Sequence, residues 1–335
     1  MTTQPVSPAE SPVQDRESIP PAMRRLAVQT ATAPVPPSDS TPRSPSPLEL
    51  GHRSRGRAVK DVIARIVMWG SFGLAMVPLI WILFTVISRG VSLLLQSQWW
   101  TNSQRNINST DVGGGAIHAI QGTLLQAGVT AVIAVPIGVL TAIYLVEYGR
   151  GAVARAVSFM VDILTGVPSI VAALFIYAVW VTTFGLDRVG VSVSLALVLL
   201  MIPVIVRSTE EMLKLVPNEL REASYALGVP KWRTVSSIVL PTALSGIVTG
   251  VLLGLARVMG ETAPLIILGP YTKVIATDLF GGLMATLPTM INNDRGENLQ
   301  PAVDRVWGAA LTLILLIFVL NLLGRFIGRF SKVKG

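Results

Sequence analysis

From about residue 62 onward, long apolar runs alternate with short polar ones. A bilayer core of about 30 Å takes about 20 helical residues to cross. Six runs are long enough, or nearly so: 62–87, 117–146, 159–182, 191–206, 242–268 and 306–326. The fourth is short. The pattern predicts an all-α membrane protein with six transmembrane helices within residues 60–330. Residues 1–55 break the pattern. Eleven of the 22 prolines fall in the first 50 residues, with many serines and no apolar periodicity. Such a stretch buries too little surface to offset its ordering entropy, so it reads as a disordered cytoplasmic tail. It has no apolar core of the kind a secretory signal needs.

Composition agrees with the pattern. The chain is 51% apolar and 14% charged, with mean hydropathy +0.61, whereas a soluble domain carries about a quarter charged residues. The absence of cysteine excludes disulfides, thiol nucleophiles and thiolate metal sites. His52 and His118 lie far apart in the sequence, so no metal centre is expected. A net charge of +8 would admit nucleic acid as a partner, but the basic residues flank apolar runs, where they set topology. No nucleic acid is expected. With both termini in the cytoplasm, sixteen Lys and Arg near the spans face inward and six face outward. The positive-inside rule favours that orientation. It also places residues 208–241 in the cytoplasm.

Those residues form the longest inward-facing polar stretch. Pro217 suits the first turn of a short helix. Leu220, Ala223, Ser224 and Leu227 then make a narrow apolar or small face at helical spacing. Gly228 suits a left-handed position just past the helix end, and Pro230 prevents continuation. A short helix closed by a turn is a compact knob for a partner's groove; an amphipathic linker is the plainer alternative. Glu222-Ala223-Ser224, Gly228 six residues after Glu222, then Ile238, Leu240 and Pro241 resemble the E-A-A…G…I-x-L-P loop of ABC importer permeases. Ser224 replaces the second alanine of that pattern. The resemblance implies that Arg221, Glu222, Ala223, Ser224, Leu227 and Gly228 dock a separate ATPase. This chain has no G-x-x-x-x-G-K-[ST] loop to cradle nucleotide phosphates. It is therefore expected to be a non-enzyme without a cofactor of its own, with ATP and Mg held by the partner.

The fifth run, 242–268, contains Arg257 and Glu261. An ionisable group at the centre of a membrane helix costs about 2.5–3.5 kcal/mol on insertion scales, so it is kept where it touches something polar. At about 100° per residue, Thr242, Gly246, Gly250, Gly254, Arg257 and Glu261 fall within a third of the helix circumference. Val248, Leu252, Leu255 and Met259 lie opposite. One face thus combines glycines with two charges. It reads either as room beside a buried charge for a substrate or as close helix packing with an Arg–Glu pair. That pair runs in the weaker i,i+4 order.

The string Gly260-Glu261-Thr262-Ala263-Pro264-Leu265 resembles the signature of the membrane subunits of phosphate ABC importers. Gly113-Gly114-Gly115-Ala116-Ile117 with Gly122-Thr123-Leu124, and Gly166-Val167-Pro168-Ser169-Ile170-Val171, resemble further motifs of that family. The resemblance covers about residues 60–330. It implies a MetI-like, type I ABC importer permease fold in a bacterial plasma membrane. It also implies a homologous second permease, two ATPase subunits and an extracytoplasmic phosphate-binding protein as partners. The chain is then expected to move phosphate by alternating access. Gly250, Gly254, Arg257, Glu261 and Thr262 would line the pathway, Arg257 offering a planar fork of donors to a phosphate.

Weaker pathway candidates are Asp162, Thr165 and Ser169, around a proline that frees backbone groups for a pathway or simply kinks the helix. Arg207, Glu210 and Glu211 read as interfacial anchors, and Trp99 with Trp100 as part of an aromatic belt. Residues 269–305 form the longest outer loop. A permease for another oxyanion, such as molybdate or sulfate, is the rival reading, although the G-E-T-A-P-L string argues against it. A phosphate-sensing scaffold is compatible with transport. No H-E-x-x-H or G-x-S-x-G motif supports an intramembrane enzyme.

Overall fold

The computed structural model describes residues 55–330, and these contain helices and loops with no strand. The expected disordered tail and His52 lie outside the described residues. By contacts the chain divides into two units, 1–69 and 70–335. Helix α1 (Arg55–Leu94) starts in the first unit. Beyond Gly70, its apolar side chains, Phe72, Leu74, Trp81 and Phe84 among them, are largely exposed. An apolar face uncovered by the rest of the unit is the face a lipid would cover.

The second unit is built around α6 (Gly190–Lys214). The sequence pattern makes this the short span, yet its apolar window is 72% buried, the most of any candidate span. It packs chiefly against α3 (Ile117–Ile143) and α9 (Leu240–Met259). Small residues make the approach close. Against α3, Ala134 and Ala196 are fully buried, and the Thr130 and Ser194 hydroxyls bridge the pair by donating to the Ser194 and Gln126 carbonyls respectively. Against α9, a Cβ added at Gly246 would meet Met212 at 2.1 Å and one at Gly250 would meet Ser208 at 2.2 Å. Gly254 lies over Met201 and Ile205. The glycine face of α9 is therefore a packing seam within this chain. Gly250 and Gly254, expected to leave room in a pathway, are closed off by α6.

Two of the expected spans are broken. The third consists of α4 (Gly151–Gly166) and α5 (Ser169–Ile176), with π-helical turns over Tyr177–Thr183, and the two halves meet at 107°. Val167 is extended, ψ 124°, as a residue before proline prefers. The chain still passes from one end of α6 to the other. Asp162 pairs with Arg207, Leu164 and Val171 share a groove with Leu199 and Leu200, and Ala173 belongs to the core cluster with Val193. The fifth run likewise stops short. The helical rod Lys231–Met259 ends at Gly260, and α10 (Ala263–Leu268) is separate, packing on α5 and α6. Pro264 explains the break, since its ring in a continuous helix would clash with the carbonyl of Gly260.

The remaining elements close the end of the unit at which α6 begins. Short α2 (Ser97–Thr101), α11 (Leu287–Asp294) and the start of α12 (Gln300–Phe330) surround Trp99. Trp99 is 1% exposed and its indole donates to Thr312 Oγ1 at 2.8 Å. It is a core residue, not an interfacial one; Trp100 beside it is exposed. The Tyr271 hydroxyl donates to Gln104 Oε1 at 2.9 Å, and burial followed by the nearby Asp294 carboxylate holds its pKa above the ordinary phenol value. Gly122 sits where α3 meets the 269–305 loop, and a Cβ there would lie 1.8 Å from the Ala285 carbonyl oxygen. Backbone yields less than a side chain does. Gly122→Ala is thus expected to cost about 1–3 kcal/mol, read as a lowered unfolding temperature of the purified protein.

Candidate functional site

The polar helices that follow α6 make the first candidate site. Helix α7 (Asn218–Ala226) starts at Pro217 and ends in a left-handed turn at Gly228, φ +74°. The Gly228 amide donates to the Tyr225 carbonyl at 2.9 Å and the Val229 amide to the Ser224 carbonyl at 3.2 Å. These are the paired bonds of a Schellman cap. Pro230 then opens α8 (Lys231–Thr234). A π-helical stretch over Val235–Val239 leads from α8 into α9. Pro241 lacks an amide hydrogen, and a π turn upstream relieves its clash with the preceding turn.

The side chains of α7 divide by face. Glu222, Ala223 and Leu227 are exposed, Leu227 at 83%. Leu220 and Tyr225 are also exposed, and Trp232 of α8 is 66% exposed. A cluster of apolar residues standing in solvent is an uncovered contact surface. Ser224 and Arg221 face the other way. Ser224 is 3% exposed and its hydroxyl lies 2.8 Å from Thr234 Oγ1, so it ties α7 to α8 and does not join the outer face. Arg221 is 13% exposed at its side chain. It donates to Glu147 Oε1 at 2.9 and 3.1 Å, and to the Val216 and Leu213 carbonyls at 2.6 and 2.9 Å. One guanidinium thereby clamps the π turn at the end of α3 (Tyr144–Tyr148) to the end of α6. The spacing that marks the knob carries no information about which of its residues turn inward.

Beside the knob is an ion network that joins α4 to α6. Arg207 pairs with Asp162, donates to Glu210 at 2.6 Å and reaches the Ser158 carbonyl and hydroxyl at 3.2 Å. Lys214 donates to Glu210 at 2.8 Å. Arg207 thus holds two helices together, and Glu210 braces it from within α6. Asp162 is the partner of a cation, and the Thr165 hydroxyl donates to the Val161 carbonyl of its own helix at 2.8 Å. Ser169 is half-buried at the start of α5.

The second candidate site lies at the break after α9. Arg257 occupies the last turn of that helix, and Glu261 and Thr262 lie in the break. Arg257 Nε is 3.6 Å from Glu261 Oε1, a loose ion pair. The Arg257 side chain is 51% exposed and Glu261 16%. Among the described residues no acceptor receives a hydrogen bond from Arg257. With Ser245, Thr249 and Leu253 it forms an exposed stripe at i,i+4 spacing along α9. An always-charged guanidinium with free donors, on an apolar helix surface, is available to an anion or to another chain. The helices that follow the two breaks, α5 and α10, pack on each other. Discontinuous helices of this kind supply polar backbone inside a bilayer only where protein or a water-lined path surrounds them.

Gln126 was not singled out by the sequence pattern. It is 1% exposed and neither side-chain polar atom has a partner. It lines a cavity of ≈10 Å³ with Thr123, Met259 and Leu265, room for about one water. A glutamine well inside an apolar span, one turn past Gly122-Thr123, is the signal that could have found it.

Comparison with known proteins bears on both sites. Residues 134–332 match the family of binding-protein-dependent transport system inner membrane components. The chain is 52% identical over 266 residues to the phosphate transport system permease protein PstA 1 of Mycobacterium tuberculosis strain H37Rv, covering 79% of this chain and 86% of that protein. It is 38% identical over 279 residues to the phosphate transport system permease protein PstA of Yersinia pestis, covering 83% and 92%. Among solved structures, a chain of the bacterial alginate ABC transporter in complex with alginate pentasaccharide-bound periplasmic protein matches with TM-score 0.57 at 15% identity, over 84% of this chain and 99% of that one. A chain of the inward-facing MetNI methionine ABC transporter matches with TM-score 0.50 at 22% identity, over 64% and 94%. These two show the fold, that of MetI-like ABC importer permeases. Shared fold, matched family model and identity along most of the chain agree: this multi-pass inner-membrane chain belongs to the binding-protein-dependent transport permeases and, within them, to the PstA family of phosphate transport system permease proteins.

Proposed function

We propose that this chain forms half of the translocation pathway of an ATP-driven importer of inorganic phosphate. Its 52% identity to a named phosphate permease is the observation that carries the reading. The other half is a homologous permease covering the exposed face of α9, and phosphate is delivered by an extracytoplasmic binding protein. Both termini and the 208–241 loop face the cytoplasm, following the excess of Lys and Arg there. Each copy of the loop seats one of two ATPase subunits through Glu222, Ala223, Leu227 and the turn at Gly228.

The geometry supplies a lever for coupling. Lys231–Met259 is one helical rod, about 43 Å long at 1.5 Å per residue. Its near end belongs to the knob, and its far end carries Arg257. A push on α7 by an ATPase closing on ATP passes to the rod through the Ser224–Thr234 hydrogen bond and to α3 through Arg221–Glu147. The rod then carries Arg257 between outward and inward states. Arg257 binds the anion; Glu261, a carboxylate, holds the guanidinium in place and does not itself accept a phosphate oxygen.

Two experiments test this reading. Expressed in a bacterium whose own phosphate permease gene is deleted, with the cognate partners, the chain is expected to restore uptake of labelled phosphate, with little competition from sulfate or molybdate. Uptake abolished by either competitor would shift the substrate. For docking, Gly228→Val forces a branched residue to φ +74°, a penalty of about 1–2 kcal/mol. Because no neighbour lies within 4 Å, the cost is conformational and confined to the knob. ATPase co-purification with the mutant is expected to drop; undiminished co-purification with normal stimulated hydrolysis contradicts docking at the knob.

A further inference from the structure

A cleft of ≈450 Å³ opens between the π turn after α3, the end of α6 and the inner face of the knob. Arg150, Lys214, Arg221 and Lys231 line it, against one carboxylate, Glu147. Arg221 already spends two bonds on Glu147. Lys231 donates to the Glu147 carbonyl and sits 5.0 Å from the centroid of the Tyr148 ring. The net positive charge that remains is carried at the rim. Arg150 is exposed with no partner among the described residues, and Lys214 is 61% exposed though paired with Glu210. Tyr225 adds a hydroxyl to the wall.

A second feature points the same way. Arg150 is also the N-cap residue of α4, a sixteen-residue helix. A guanidinium has no acceptor with which to cap the first turn, and that turn holds no acidic residue. The free amides of α4 therefore begin beside the cleft, where helix geometry favours an anion.

We propose that this cleft binds a phosphoryl anion, the common chemistry of an anionic lipid headgroup and of free inorganic phosphate. A basic pocket between membrane helices at a cytoplasmic interface has the charge and position for it. Its cytoplasmic placement rests on the topology proposed above; the anion chemistry rests on the cleft alone. A ligand there touches α3, α6 and the knob together, and so stiffens the knob against the helices it drives.

The test uses the assembled permeases and ATPases, without the binding protein, in two arms. In the first, the complex is held in nanodiscs of mixed phosphatidylcholine and phosphatidylglycerol, and native mass spectrometry counts phosphatidylglycerol retained after extraction. In the second, inorganic phosphate is titrated by calorimetry into phosphatidylcholine nanodiscs in an Arg257→Gln background, so that the proposed pathway site adds no signal. The variants are Arg150→Gln with Lys214→Gln, both exposed, and Arg233→Gln as a control, an exposed cation on α8 outside the cleft. The double variant is expected to lose retention or affinity by about tenfold or more, with the control unchanged. Loss in the first arm identifies a lipid headgroup; loss in the second identifies free phosphate. Equal binding by wild type and double variant in both arms overturns the proposal. So does an equal loss in the control, or wild type that binds neither ligand. Neither arm requires transport, so a failed uptake assay and a failed cleft remain distinguishable.

Discussion

Arg221→Ala is expected to release the knob from the membrane helices. The substitution leaves the Glu147 carboxylate 5% exposed and without its cation, and strips bonds from two carbonyls at the end of α6. Removing one member of a buried ion pair costs about 3–5 kcal/mol. The loss falls on one joint, so the expected readout is local: faster proteolysis within residues 216–232 and weaker ATPase association, at near-normal membrane insertion. Replacing both partners by apolar residues of similar size, Glu147→Leu with Arg221→Met, removes the stranded charge. It is expected to recover much of the stability while leaving coupling impaired. An Arg221→Ala protein with wild-type protease resistance and coupling would mean that the clamp bears no strain in the working protein.

Arg257→Lys is expected to abolish most uptake while the protein inserts, assembles and binds ATPase normally. Lysine preserves the charge and loses the fork of parallel donors. Because the side chain is half exposed and its tie to Glu261 is 3.6 Å long, the substitution strands no tightly paired group, and folding is expected to survive it. Glu261→Gln is expected to act more mildly, since it retains a hydrogen-bonding head of the same size beside the guanidinium. Uptake measured at matched membrane abundance separates the cases. Near-wild-type transport in both variants would assign the pair to subunit packing.

The sequence carried the local instructions more plainly than the partners of each face. Gly228 followed by Pro230 announces a left-handed cap, and the chain turns there at φ +74°. The bend at Val167-Pro168 was legible as a kink, but its 107° angle depends on what α4 and α5 pack against. At Gly260 and Pro264 the stop signals are present. The apolar run continues through them to Leu268, so hydrophobicity alone reads one helix where sterics make two. The glycines of α9 do share a face. Whether that face meets substrate or protein depends on α6, whose Met212 and Ser208 fill the space. Helical periodicity identifies a stripe without naming its neighbour. The same limit explains Ser224, which is small like its alanine counterpart but turns inward to Thr234, and Trp99, which Ala285, Leu287 and Met290 help to bury.

Phosphate conduction by this chain, and its drive by ATP from another polypeptide, meet in one assay. Proteoliposomes holding the chain with its homologous permease, ATPase and binding protein test both most directly. Accumulation of labelled phosphate is expected only with hydrolysable ATP on the knob side, and is expected to vanish when the ATPase is inactivated or Arg257 is replaced by Lys. Accumulation that persists without ATPase activity, or that is unchanged by Arg257→Lys, would contradict the account.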